Sequence, residues 1–564
     1  VSNEKIEIFL GDWLYNAGIV GFINILKSAG DSIVYNKNSF EFTNDALIGF
    51  ENKFFDYLIK TYKKTLSWSK IIRNKDFIET HINDNLEFFD ETKLEYLNKI
   101  IGSKAQNGSI KYFLNSASYI KAYSLIGNSQ TLIDLERELN PIKLEKNKNL
   151  LFYKVEIMRM LTIIKDIICL LESESFEKYI AGKNVIYTII RQGWDGVSFL
   201  NPQTKEPNMY EDYKKCFLMD AVDYVTAPKD NYKYNCFTCH REVKTLSDSL
   251  SFLNEIGFDT ARKPSHVWNY DNDITICPIC KLIYSCVPCG MTYVLNNGVF
   301  VNRNHSVDLL VEVNQHMKHL TIDTEENDYV STYRAMILAL TSTKNKNVKY
   351  ELSDIQVVKY EDIGGSNKYR FNIFSKKALR VIEKSGEDLE HLINASYKEI
   401  DTSYRLYDEV IKKIFNNEYM YLLIHKLFVL KLQNKKDLYY SMYHIRAIIR
   451  INQRAIEGEG KMENSKEMLK VYNSSGYYLK KSYVEKNAEN KLNGISYKLL
   501  NALKTGNTGM FMDTILNSYL YVNKQVPLFL VECLTDENTF KSIGYSFVAG
   551  LIDGEKYEKQ NGGV

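Results

Sequence analysis

The stretch Cys277-Pro278-Ile279-Cys280-Lys281-Leu282-Ile283-Tyr284-Ser285-Cys286-Val287-Pro288-Cys289-Gly290, preceded by Cys236-Phe237-Thr238-Cys239-His240, decides how this chain is organised. A C-x-x-C turn presents two sulfurs to one ion, and two such turns complete a tetrahedral four-thiolate site. Pro278 preorganises the turn at Cys277/Cys280. The Cys286/Cys289 turn follows too closely to share an unstrained site with it. The preferred ligand set is therefore Cys236, Cys239, Cys277 and Cys280, with His240 and the Cys286/Cys289 pair as alternates. Four thiolates close the coordination sphere, so the expected ion is a structural Zn2+ with no catalytic position. The module around it spans about residues 230–292.

Outward from this module the pattern is mixed. Trp13 to Lys27 reads as an apolar helix after a turn at Gly11-Asp12, Phe50 to Lys63 as a second helix, and Ile142 to Ser175 as a long helical stretch. Val294 to Val301, with Asn296-Asn297-Gly298 inside it, predicts a hairpin. Val348 to Tyr360 and Tyr369 to Phe374 predict strands flanking Gly364-Gly365-Ser366. From Lys376 nearly every segment has a helical period, and no proline occurs before Pro527. The expected fold class is α+β: a mixed N-terminal α/β domain over 1–375 with the zinc-finger module embedded in it, then a C-terminal helical bundle over 376–564.

The chain has 564 residues, 45% of them hydrophobic, enough for more than one ordinary core. Its net charge is only +2, from 72 basic and 70 acidic residues. Contacts with a phosphate backbone must therefore come from local patches. The apolar opening from Ile6 to Leu26 carries Glu7 and Asp12 and lacks a basic leader, so neither a signal peptide nor a membrane span is expected. Nine cysteines, six in C-x-x-C pairs, point to a reducing compartment, the cytoplasm of a prokaryote.

No phosphate-binding G-x-x-x-x-G-K-[ST], H-E-x-x-H or G-x-S-x-G motif occurs. His316 and His319 are spaced like helical ligands but lack a carboxylate companion and read as a solvated polar face. A non-catalytic protein is expected. Arg446, Arg450 and Arg454 recur every four residues on one predicted helix face. Such a row, spaced at about 6 Å, suits a tracked phosphate backbone; a solvated charged face is the competing reading.

The opening Gly11-Asp12-Trp13-Leu14-Tyr15-Asn16-Ala17-Gly18-Ile19-Val20-Gly21-Phe22 resembles the start of the large subunit of type I-B CRISPR Cascade surveillance complexes. The pairs Cys236/Cys239 and Cys277/Cys280, the segment Lys504-Thr505-Gly506-Asn507 and the ending Phe540 to Leu551 resemble the same family in order and spacing. Cys286/Cys289 is not part of that pattern. The resemblance implies a subunit assembled on a CRISPR RNA with backbone subunits and a helical small subunit. It implies a role in reading the protospacer-adjacent motif (PAM) of double-stranded target DNA, opening the duplex, holding the displaced strand and recruiting a helicase-nuclease. The polar loops Gly102 to Ser109 and Gly193 to Pro202 are then the candidates for base reading, through Lys104, Gln106, Asn107 and Asn201.

In related systems the small subunit is translated from the 3′ end of the large-subunit gene. Here Glu457-Gly458-Glu459-Gly460-Lys461 is encoded by purine-rich codons just before Met462, a candidate internal start for a product covering 462–564, with Met442 and Met468 as rivals. Two other classes stay open: a zinc-stabilised nuclease, and a zinc-stabilised interaction subunit that never touches nucleic acid.

Overall fold

The computed structural model describes residues 5–102, 109–114, 122–144, 149–246, 248–255, 275–294, 297–322, 334, 337–338, 355–363, 366–400, 402–433, 437–457 and 462–553. They form two compact units, residues 1–343 with 356–371, and residues 344–355 with 372–564.

The first unit opens with strand β1 (Lys5–Phe9), helix α1 (Trp13–Ala29), β2 (Val34–Tyr35) and β3 (Ser39–Thr43). The strands form an antiparallel sheet in the order β1-β3-β2. Helix α1 starts where Asp12 caps it, the carboxylate accepting the amides of Leu14 at 2.8 Å and Tyr15 at 2.9 Å. It stops at Gly30, whose φ of 84° only glycine adopts readily. Every residue from Leu14 to Leu26 is buried, which is why its sequence is apolar all round rather than striped.

Around α1 pack α2 (Phe50–Tyr62), α3 (Pro278–Ser285), α4 (Val287–Gly290) and α5 (Val307–Ile322). The closest approach is between α1 and α4. A Cβ on Gly21 would lie 2.0 Å from the Cys286 carbonyl oxygen, and one on Gly290 would lie 1.8 Å from that of Ala17. Glycine on both sides lets the two backbones touch.

The hairpin expected near residue 297 is present as β4 (Thr292–Val294) and β5 (Asn297–Asn302). It extends into a four-stranded sheet with β6 (Ile355–Ile363) and β7 (Ser366–Phe374), in the order β4-β5-β6-β7. The part of the expected strand before residue 355, and Gly364-Gly365, lie outside the described residues. The helical stretch expected over Ile142 to Ser175 is centred on the helix Lys154–Leu171, with Ile157, Leu161, Ile164, Ile168 and Leu171 buried at three- and four-residue intervals.

The second unit is mainly helical. Its helices include α6 (Tyr421–Leu432), α7 (Met442–Glu457), α8 (Met462–Glu485), α9 (Leu492–Thr505), α10 (Thr508–Tyr521) and α11 (Glu537–Asp553). α8 and α11 meet through glycine, a Cβ on Gly550 falling 1.8 Å from the Asn473 carbonyl oxygen. The sequence did not reveal a small antiparallel sheet of Thr402–Arg405, Ser396–Glu399 and Leu438–Tyr439. Strands of two to four residues are too short to display a period of two. The whole is a mixed helix-and-sheet fold with a helical C-terminal region.

Candidate metal centre

The first cysteine turn sits at the end of a two-stranded hairpin, Tyr234–Asn235 paired with Glu242–Val243. The Cys236 amide donates to the Arg241 carbonyl at 2.8 Å, and the His240 amide returns to the Cys236 carbonyl at 2.9 Å. His240 closes the turn in the left-handed region, with φ 59°. The second turn is a helix start. Cys277 is the N-cap of α3, its Sγ accepting the Cys280 amide at 3.4 Å, and Pro278 occupies the first helical turn. A thiolate there also gains from the helix dipole.

These two turns bring Cys236, Cys239, Cys277 and Cys280 together, with all four Sγ atoms within 4.8 Å of one another. Cys239 and Cys277 are 3.6 Å apart. A tetrahedron with metal–sulfur bonds of 2.3 Å has edges of about 3.8 Å, so the sulfurs already stand at coordination spacing. Three of the four cysteines are buried and Cys239 is half-buried. The donor set and spacing fit a closed tetrahedral metal site. Neither alternate joins it. His240 contributes its backbone to the turn. Cys286 instead donates its thiol to the Leu282 carbonyl at 3.3 Å, and Cys289 lies fully buried in the core.

The thiols are electrostatically strained against one another. Hydrogen bonds from Cys239, then Cys277 and Cys280, pull Cys236 well below the ordinary thiol range. Burial, followed by the hydrogen bonds with Cys236, Cys239 and Cys277, pushes Cys280 well above it. A divalent cation removes this conflict by stabilising all four as thiolates.

The site is also tied into the core. The Tyr15 hydroxyl of α1 lies 3.2 Å from Cys280 Sγ. The Phe237 amide reaches the Thr275 carbonyl at 2.8 Å, and Thr238 meets the Tyr284 hydroxyl at 3.2 Å. Arg241 donates to the Glu7 carbonyl in β1.

The other sequence-predicted residues have different fates. Lys104, Gln106 and Asn107 lie outside the described residues. Asn201 is half-buried in a loop, its side-chain oxygen accepting the Gln203 amide at 2.9 Å. His316 and His319 fall on α5, and among the described residues neither belongs to a metal-holding group. Met462 is the first residue of α8.

The arginine row requires a correction. The expectation was three guanidinium groups presented along an open face. Instead Arg450 and Arg454 converge on the buried carboxylate of Asp388, each at 2.6 Å. Arg446 donates to the Asp553 carbonyl at the end of α11, at 2.5 Å. The four-residue spacing does align them, but it aligns them on partners inside the unit. Asp388, which lies far off in sequence, is the residue the sequence reading missed.

The molecule is thus a mixed-fold protein with a buried four-cysteine centre of structural type. Residues 229–292, which contain all four ligands, match the model of a family described as CRISPR-associated protein (Cas_CXXC_CXXC), and the match indicates a CRISPR-associated protein. No curated protein and no solved structure matches the chain. Among the described residues no helix is long and apolar enough to cross a membrane.

Proposed function

We propose that this chain is the non-catalytic large subunit of a type I-B Cascade complex, with Zn2+ as the ion of its four-cysteine centre. The observation that carries the reading is the metal-spaced cysteine cluster inside a segment matching a CRISPR-associated family. Support comes from the opening helix, whose resemblance to such subunits was noted from sequence. It packs on the cysteine module through Tyr15, so both stretches belong to one folding unit. In this reading the chain assembles on a CRISPR RNA with backbone subunits in a prokaryotic cytoplasm. It contributes to PAM recognition and duplex opening, stabilises the displaced strand and recruits a separate helicase-nuclease. Guide pairing supplies the sequence reading.

The test is co-expression with the neighbouring CRISPR genes, native mass spectrometry of the purified particle and sequencing of its nucleic acid. A particle carrying a repeat-derived guide, and binding matched duplex DNA without cutting it, is expected. Assembly indifferent to RNA would instead select the pure interaction subunit, and cutting by the isolated chain would select the nuclease.

A further inference from the structure

Beside the loop that holds Asn201 lies a half-open cleft of about 330 Å3, formed wholly within the first unit. Its one wall is a helical face carrying Lys183, Tyr187 and Arg191 at four-residue intervals, a cation, a ring and a cation one turn apart. The opposite wall is the loop around Phe199, Asn201 and Pro202. The helix is not regular here. π-helical turns run over Glu177–Ala181 and Ile186–Ile190. Such turns weaken the helical hydrogen-bond ladder and are frequent at functional sites. The loop is also forced, with Gly196 at φ 73° and Ser198 at φ 51°.

The charges of the cleft sort themselves. Its acids are already committed: Asp195 holds Arg191 Nε at 3.0 Å, and Glu206 holds Lys215 at 2.6 Å. Among the described residues the terminal N–H groups of Arg191 meet no acceptor. The Asn201 oxygen is used by the Gln203 amide, while its NH2 group has no partner among the described residues. Lys183 is 5% exposed and stands 5.7 Å from the centre of the Tyr187 ring. The cleft therefore offers the Arg191 guanidinium and the Asn201 amide as donors, with the Tyr187 ring on one wall and Phe199 and Pro202 on the other. Its volume is at the lower end of small-molecule sites, enough for one base with its sugar phosphate and not for a base pair.

We propose that this cleft seats a single unpaired nucleotide, its base stacked on Tyr187 and its phosphate directed to Arg191. This rests on the reading of the chain as a guide-RNA complex subunit. Stacking on an aromatic ring tolerates any base, whereas the Asn201 amide favours a base edge that presents an acceptor. The nucleotide comes from the guide RNA or from an unpaired stretch of target DNA, two sources with the same chemistry.

The experiment uses the assembled particle. In one arm the guide carries 4-thiouridine, and in the other the target DNA carries 5-iododeoxyuridine. After irradiation the cross-linked peptides are identified by mass spectrometry. One arm is expected to label the peptide spanning residues 183–207, and the labelled arm names the source. Tyr187→Ala should lower that yield about tenfold. Asn201→Ala, a change on a half-buried loop that leaves the helix intact, should lower it several-fold. Guide content and melting temperature are measured alongside, so that a loss of folding or assembly is told apart from a loss of cross-linking. If Tyr187→Ala does not fold, the Asn201→Ala result decides. Cross-links confined to other peptides, or yields unchanged in Asn201→Ala, overturn the cleft while leaving the proposed function in place. A particle free of nucleic acid overturns both.

Discussion

Cysteine is the residue whose roles the structure separates most sharply. Cys277→Ser should release about one metal equivalent per chain, read by inductively coupled plasma mass spectrometry, and destabilise the first unit, because binding free energy at a structural site is folding free energy. Cys286→Ser should keep the metal in full, since that thiol donates to the Leu282 carbonyl and lies outside the four-sulfur cluster. Metal retained in the first variant, or lost in the second, would refute the ligand set.

Lys318 is a second residue with a measurable signature. Its ammonium is buried and, among the described residues, reaches neutral groups, the Cys289 carbonyl at 2.6 Å and the Tyr57 hydroxyl at 3.0 Å. Burial lowers its pKa to about 8. Between that value and the free-lysine range the unfolded chain binds more protons than the folded one, so stability rises with pH across this window. Lys318→Met should remove that rise and stabilise the protein at pH 7 by about 1–3 kcal/mol, measured by denaturant titration at several pH values. A variant less stable at pH 7 would show that the two hydrogen bonds outweigh the buried charge. The sequence announced the cysteine pairs because a two-residue spacer is itself a chemical constraint. It hid Lys318 because the groups that bury it, Tyr57 and Cys289, are distant in the chain.

At the level of elements, period and caps were legible and partners were not. Asp12 and the apolar run after it predicted α1, and the structure adds only two residues at its end. The arginine face of α7 was legible as a face, but what it faces depends on where Asp388 lands. There burial would raise the carboxyl pKa, yet Arg450 and then Arg454 hold it below the usual carboxylate range. Stability from this pairing is present above the unfolded aspartate pKa and is lost as pH falls through the lowered one. Asp388→Asn should therefore destabilise the second unit by about 3 kcal/mol at pH 7, because it leaves two partly buried guanidinium groups without their counter-ion. The difference from wild type should shrink in acid. Equal stability at pH 7 would return these arginines to a solvent-facing role.

For the whole molecule, the internal start is the prediction with the widest reach. Residues from Met462 onward contain α8, α9, α10 and α11, and α8 packs extensively on α11 within that stretch. A product beginning at Met462 thus carries a core of its own, while Arg446, Arg450 and Arg454 stay on the full-length chain. Expression of the gene with a C-terminal tag should give a second, short band that vanishes when the Met462 codon or the preceding purine run is silently recoded. No short band, or one that survives recoding, would rule this out.

The contact between Tyr15 and Cys280 spans 265 residues. A ribosome adding about 5–20 residues per second needs about 13–50 s to cover that interval. Throughout it the oily α1 has been made but its glycine-lined seat at α4 has not. Through that interval the apolar surface of α1 stays uncovered by α3 and α4, and the metal site, whose second turn starts α3, can form only at its end.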